Sequence, residues 1–181
     1  GDRGHDARAQ TRADHAGSVI RLNADGTLPP DNPWAGQAGW KAEKYTLGHR
    51  NIQGLAVHPV SGALWAHEHG PQGGDEINLI RPGRNYGWPL ASNGSHYGGA
   101  DIPDHKPGDG FEAPLVWWNP SVSPGSLMIY SGAIYPQWQG DAFIGALSGE
   151  ALIRVDLDGT AATKGDQWGF GARIRAVDQA P

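Results

Sequence analysis

Residues 48–89 read GHRNIQGLAVHPVSGALWAHEHGPQGGDEINLIRPGRNYGWP, and they crowd chemistry-bearing side chains beside strand patterns. Arg50, Asn51 and Gln53 stand directly before an apolar-rich stretch at 54–58. In extended backbone, residues two apart share a face, so Asn51 and Gln53 point the same way. Two amides and a guanidinium that never loses its charge suit a ligand bearing carbonyls and carboxylates; capping a turn is the structural alternative. Next comes His67-Glu68-His69-Gly70-Pro71, with Asp75-Glu76 after it. His67 and His69 can face one metal, and His49 with the nearby carboxylates would extend this to a zinc-like hydrolytic set. Gly70-Pro71 offers a different metal chemistry, because a turn without competing side chains exposes backbone carbonyls, the hard oxygens that Ca²⁺ takes. Asp75 can orient a histidine, bind a metal or cap the turn before Glu76. Near the end, Arg173 and Arg175 flank Ile174, so two guanidiniums leave one face of an extended segment and suit a polyanion or a solvated edge.

The elements that must position these groups are short strands. Residues 54–58 and 63–67 flank Pro59-Val60-Ser61-Gly62, which predicts a hairpin. Residues 76–80 predict a third strand, stopped by Arg81-Pro82-Gly83. Residues 18–22, 126–131, 141–147, 151–157 and 172–177 also read as strands, and residues 90–114 as a long functional loop. No segment sustains a 3.6-residue apolar period, so little helix is expected. The pattern of residues 20–27, IRLNADGT, recurs at 153–160 as IRVDLDGT. That spacing suits two or three repeats of propeller-blade length, with a β-sandwich as the other architecture.

Composition agrees with many short strands. The 181 residues include 28 glycines and 14 prolines, about double the usual share. The 8 tryptophans and 5 tyrosines supply the large apolar surfaces that a disordered chain lacks. A net charge of −5 gives no basic footprint for nucleic acid. No run approaches the roughly 18 apolar residues of a membrane span. The absence of cysteine removes disulfides and thiol catalysis.

Taken together, Gly48-His49-Arg50-Asn51-x-Gln53-Gly54-Leu55-Ala56, Glu68-His69-Gly70-Pro71 with Asp75-Glu76-Ile77-Asn78-Leu79-Ile80, and Asn85-Tyr86-Gly87-Trp88-Pro89 resemble the soluble pyrroloquinoline quinone (PQQ)-dependent sugar dehydrogenases, the glucose/sorbosone or aldose sugar dehydrogenase family. Gly1-Asp2-Arg3-Gly4, Arg21-Leu22-Asn23-x-Asp25-Gly26, Asp31-Asn32-Pro33 and Arg173-Ile174-Arg175 extend the similarity collinearly over the whole chain.

The resemblance implies an all-β, six-bladed β-propeller, with residues 1–181 as a single partial propeller domain, a central piece of about half, incomplete at both ends. It implies oxidation of the C1 hydroxyl of an aldose sugar to a lactone, with hydride passing to PQQ and Ca²⁺ assisting. Arg50 would polarise the quinone, and Asn51, Gln53, His69, Ser121 and Ser123 would be further cofactor contacts. The Gly70 and Pro71 carbonyls would bind Ca²⁺, and Arg173 and Arg175 would pair with PQQ carboxylates. Asp75 would orient a catalytic base, a histidine that the family pattern places before Gly1-Asp2, so this piece alone is expected to be inactive. An external electron acceptor, a homodimer and a periplasmic or secreted location complete what the resemblance suggests. One departure stands out: Ser148 follows Gly145-Ala146-Leu147 where relatives often carry a lysine. That keeps open a non-catalytic propeller module binding carbohydrate or protein.

Overall fold

The computed structural model describes residues 1–180 apart from Arg3; Arg3 of the Gly1–Gly4 motif and Pro181 lie outside the described residues. Ten strands carry the fold: β1 (Ile52–Val57), β2 (Leu64–Glu68), β3 (Gln72–Gly73), β4 (Asp75–Ile80), β5 (Gly94–Ser95), β6 (Val116–Trp118), β7 (Pro124–Ile129), β8 (Ala142–Ala146), β9 (Ala151–Asp158) and β10 (Ala161–Gly169). Two short 3₁₀ turns, Asp6–Gln10 and Pro136–Trp138, are the helical elements among the described residues.

The strands form two four-stranded antiparallel sheets, in the orders β1-β2-β4-β6 and β10-β9-β8-β7. Each is a meander in which neighbours in sequence are neighbours in space. The β1–β2 hairpin turns where Pro59–Gly62 predicts it. Gly62 takes the left-handed conformation at φ 71°, and His58 Nδ1 accepts the N–H groups of Val60 and Ser61 at 3.2 Å.

Strand periodicity decides what each residue faces. The register pairs Trp65 with Leu79, His67 with Ile77, Ile77 with Val116 and Asp75 with Trp118, so these side chains share one face. Glu68 pairs with Glu76, and Ala66 with Asn78, on the other. The first face packs on the second sheet: Trp65, Ile77, Val116 and Trp118 meet Ala142, Ile144, Ile153 and Val155 in one buried cluster. β1 lies against β7 and β6 against β10, so equivalent strands of the two sheets face each other. That is the relation of neighbouring blades in a β-propeller, the architecture expected from the sequence. The second face is covered by the N-terminal segment, where Val19 and Tyr45 pack with Ala66, Ile80 and Tyr86. Lys44, fully buried, ties that segment together through the carbonyls of Thr11 and Asp14, at 2.8 and 2.9 Å.

Three expectations need correction. Residues 172–177 join no sheet ladder; they cross the far face of the second sheet, over Gly125 and Gly145, where there is no Cβ to obstruct the Arg175 and Ile174 backbone. Residues 18–22 reduce to one bridge, Ile20 with Lys44, so the two Asp-Gly turns are alike while only the second closes a hairpin, β9–β10. Residues 90–114 contain β5, which pairs with β3.

Candidate active site

Several segments meet at one end of the two sheets: the entry to β1 (Arg50, Asn51), the turn after β2 (His69 to Gly73), and the β6–β7 connection (Asn119 to Ser123). The turn after β2 and the β6–β7 connection line a cleft of about 490 Å³, with the entry to β1 beside it. Of the residues singled out from the sequence, His69, Gly70, Pro71, Asp75, Ser121 and Ser123 line it. Tyr97 and Ser148 line it as well.

Asp75 opens β4 on the face toward the second sheet and is 1% exposed. Its Oδ1 accepts the Gly70 N–H at 2.9 Å, and its Oδ2 accepts the Ser123 N–H at 2.6 Å. One buried carboxylate thereby joins the Gly70-Pro71 turn of the first blade to the serine loop that enters the second. Ser123 holds the left-handed backbone, φ 53°, a conformation that costs about 1 kcal/mol or more for a non-glycine residue and needs such anchoring. Ser148 belongs to the same arrangement. Its hydroxyl bonds Ser123 Oγ at 2.8 Å and donates to the Ser121 carbonyl at 3.1 Å. Ser148 therefore braces the cleft wall without adding charge.

Arg50 sits at the edge of the cleft. Its guanidinium donates to the His69 carbonyl at 3.2 Å and to Tyr97 Oη at 3.3 Å. It lies over the Trp88 and Tyr97 rings, 5.4 and 5.7 Å from their centroids. Stacking of this kind holds a cation in place while leaving donors free for a ligand. Arg50, Trp88 and Asp2 also line a smaller pocket of about 180 Å³, which shares Pro71 and Tyr97 with the cleft. Asp2 Oδ2 accepts the Trp88 indole N–H at 2.7 Å.

Asn51 and Gln53 share a face as the period requires, with Gln53 Nε2 donating to Asn51 Oδ1 at 2.9 Å, but neither lines the cleft or the smaller pocket. Arg173 and Arg175 are exposed on the crossing segment and also line neither cavity. The Arg175 backbone passes over Gly125, two residues after Ser123, which brings both arginines to the same end of the blade.

The histidines do not assemble. His49 bonds Glu68, His69 Nε2 bonds the Pro124 carbonyl at 2.8 Å, and His67 is buried against Gly54. Among the described residues no group of three or more His, Asp or Glu side chains is arranged to hold a metal ion, which overturns the zinc-like set of His49, His67 and His69. The Gly70-Pro71 carbonyls are a different case. Among the described residues neither accepts a backbone N–H, so both are available to a hard cation.

His67 is fully buried with no well-formed hydrogen bond at either ring nitrogen. Burial pushes it down to about 4, against weak support for the charged form from the Ser126 backbone. The unfolded chain takes up this proton near pH 6.5, so stability contributed by neutral His67 is present above that pH and falls as pH drops toward about 4. The loss should reach about 2 kcal/mol at pH 5. Urea titrations at pH 7 and pH 5 should show a smaller drop for His67→Leu than for the unsubstituted protein.

Sequence reasoning assigned no role to Tyr97 or Asn119, and to Glu68 only a place among the carboxylates of a zinc-like set. Tyr97 is an isolated aromatic in a Gly-rich loop, and its single signal is an aromatic amid polar neighbours. Glu68 was visible in the motif, but its task depends on the face it occupies.

Comparison with known proteins identifies the family. The family described as Glucose / Sorbosone dehydrogenase matches residues 1–181. The aldose sugar dehydrogenase of Escherichia coli is 42% identical over 170 residues, covering 91% of this chain and 46% of that protein. The quinoprotein glucose dehydrogenase B of Acinetobacter calcoaceticus is 32% identical over 206 residues, covering 84% of this chain and 42% of the relative. Among solved structures, the apo-form of the soluble E. coli aldose sugar dehydrogenase superimposes with a TM-score of 0.86 at 40% identity, covering 92% of this chain and 49% of that one. The PQQ-bound aldose sugar dehydrogenase of Streptomyces coelicolor gives 0.73 at 33% identity, covering 97% and 46%. The chain thus spans about half the length of these relatives. With the whole sequence matched and the blades superimposable, the chain belongs to the glucose/sorbosone dehydrogenase family.

Proposed function

We propose that the protein to which this chain belongs is a PQQ-dependent aldose dehydrogenase that oxidises the C1 hydroxyl of an aldose sugar to a lactone, with Ca²⁺ assisting. The observation that carries this reading is the convergence of His69, Gly70, Pro71, Ser121 and Ser123, from segments some fifty residues apart in sequence, on one cleft with Arg50 at its edge. The donor set suits a flat, carbonyl-rich, anionic cofactor: a stacked guanidinium, serine hydroxyls and an imidazole. PQQ when bound supplies the acceptor for the sugar's hydride.

The residues of this chain would bind and orient. Arg50 would donate to a quinone oxygen, with Asn51, Gln53, His69, Ser121 and Ser123 as further contacts. Arg173 and Arg175 would pair with the cofactor's carboxylates, which requires their side chains to turn toward the cleft end of the blade. The free carbonyls of Gly70 and Pro71 would take Ca²⁺, whose Lewis acidity polarises a bound carbonyl oxygen. Each oxygen of Asp75 keeps a second lone pair after its backbone bond, so Asp75 can also orient the histidine base that the family pattern places before Gly1. A cleft of about 560 Å³, walled by Asn93, Asp101 and Asp104, meets the cofactor cleft at Asn119 and offers hydroxyl-binding groups for the sugar. A propeller of six blades, an external electron acceptor, a homodimer and a periplasmic or secreted location belong to the same proposal. No helix among the described residues is long and apolar enough to cross a membrane.

The full-length protein reconstituted with PQQ and Ca²⁺ should reduce an artificial dye in proportion to added aldose. No change in PQQ absorbance on titration, together with no dye reduction across an aldose panel, would favour the non-catalytic module instead, for which the uncharged Ser148 in the cleft is the supporting observation.

A further inference from the structure

Behind the cleft, on the opposite face of β2 from His67 and His69, lies a carboxylate that the proposed chemistry does not use. Glu68 is 3% exposed. Its Oε2 accepts two consecutive backbone donors, the N–H of Arg50 at 2.6 Å and that of Asn51 at 3.0 Å. Its Oε1 bonds His49 Nδ1 at 2.7 Å. The Arg50 carbonyl accepts the Asp2 N–H at 2.9 Å, and the Asn51 carbonyl accepts the His69 N–H at 3.0 Å. Every backbone polar group of Arg50 and Asn51 is therefore occupied, and both N–H groups depend on one oxygen of Glu68. Ladder bonding cannot supply these donors, because Arg50 and Asn51 precede β1 and the register slips between Ile52 and Gly54.

Glu68 is itself held. Thr46 Oγ1 accepts the Val19 N–H at 3.3 Å and sits 2.9 Å from His49 Nε2. A neutral His49 receives the threonine hydrogen at Nε2 and so carries its own proton on Nδ1; a charged His49 carries one there in any case. Either form presents an Nδ1–H to Glu68. The His49 ring is stacked on Tyr86 at 4.4 Å, which fixes its plane. Burial pushes Glu68 up, but His49 and the two backbone donors outweigh this and leave it below the usual range. Its cross-strand neighbour Glu76 is driven well above the range by burial and by the nearby charge of Glu68, and takes a bond from Asn78 at 2.9 Å.

We propose that Glu68 is the positioning residue of the cofactor site: it fixes the Arg50–Asn51 backbone so that the Arg50 guanidinium stands over Trp88 at the edge of the cleft. This rests on the quinone reading of that cleft for the identity of the ligand. The anchor itself depends on geometry, on an oxygen at the right reach, which separates it from a general contribution to stability.

The test uses full-length protein carrying Glu68→Ala, Glu68→Gln or Glu68→Asp, with two readouts. The first is amide hydrogen exchange in the apo protein for a peptide spanning residues 48–53, against peptides from the second blade. The second is PQQ affinity by titration at saturating Ca²⁺. Glutamine keeps one oxygen for both N–H groups and can donate its amide to Nδ1 of a neutral His49 whose proton has moved to Nε2, facing Thr46 Oγ1, so E68Q should retain protection and bind PQQ within about tenfold of the unsubstituted protein. E68A, and E68D whose carboxylate falls one methylene short, should lose protection in residues 48–53 while the second blade keeps its own, and PQQ affinity should fall about tenfold to a hundredfold. Should E68A fail to fold, the contrast between E68Q and E68D decides alone. Equal loss of protection in both blades, or unchanged PQQ affinity in E68D, would overturn the proposal. Unsubstituted protein that binds no PQQ would instead overturn the quinone reading, whatever the exchange shows.

Discussion

Replacing Asp75 with alanine should destabilise the full-length protein by about 2–6 kcal/mol, seen as a lower urea midpoint, because it strips the acceptor from two buried backbone donors at about 1–3 kcal/mol each. The Gly70 and Ser123 N–H groups have that carboxylate as their partner. A loss of this size is a large part of the net stability of an ordinary domain. Asparagine offers one carbonyl oxygen and must turn an NH₂ toward the other N–H, so Asp75→Asn should lie between. The two donors belong to different blades. Losing their shared acceptor should therefore open the cleft as well as lower stability, and PQQ titration of the asparagine variant should show weakened binding under conditions where the protein remains folded.

The second large effect is expected at Gly70. A Cβ there would overlap the Gly73 carbonyl oxygen and the Gly74 carbonyl group, which are backbone and cannot swing aside. Gly70→Ala preserves the carbonyl proposed to bind Ca²⁺, so any change in metal binding must come from movement of the turn. Overpacking of this kind costs about 1–3 kcal/mol. The Ca²⁺ concentration needed for half-maximal PQQ binding should rise by about tenfold or more, and the urea midpoint should fall. An alanine variant with unaltered Ca²⁺ dependence would separate the turn's geometry from metal binding.

Residues with strong local signals were legible from the sequence. Pro59–Gly62 turned where predicted, Asn51 and Gln53 shared a face, and the apolar stretches at 126–131, 141–147 and 151–157 became β7, β8 and β9 within a few residues. β10 was not legible. Its nine residues are mostly exposed and hold one large apolar side chain, Trp168, so no apolar period marks it; it is a strand because β9 and the Asp158-Gly159 turn hand it a ladder. Residues 172–177 show the converse. Their alternation is that of a strand, yet the segment lies across two glycines of a sheet face, and alternation in sequence does not say whether an edge or a face is waiting. The candidate site divides in the same way. Arg50, His69, Gly70 and Pro71 were visible as residue types with obvious chemistry. The tasks of Asp75 and Glu68 were not, because they follow from the register that sends Asp75 toward the second blade and Glu68 toward Arg50 and Asn51, just before β1. Tyr97 gave no sign beyond its ring, since a loop position is set by the β3–β5 pairing and not by any local period.

The central claim is that the cleft between the Gly70-Pro71 turn and the Ser121–Ser123 loop binds a quinone through Arg50 and a Ca²⁺ through backbone carbonyls. Its most direct measurement is equilibrium titration of the full-length apo protein with PQQ, followed by the cofactor's absorbance, with Ca²⁺ present and with Ca²⁺ chelated, for the unsubstituted protein and for Arg50→Gln. Saturable binding that weakens on chelation, and weakens by about tenfold or more in Arg50→Gln, is the expected result. Binding of equal strength in all four titrations, or none in any, would contradict it.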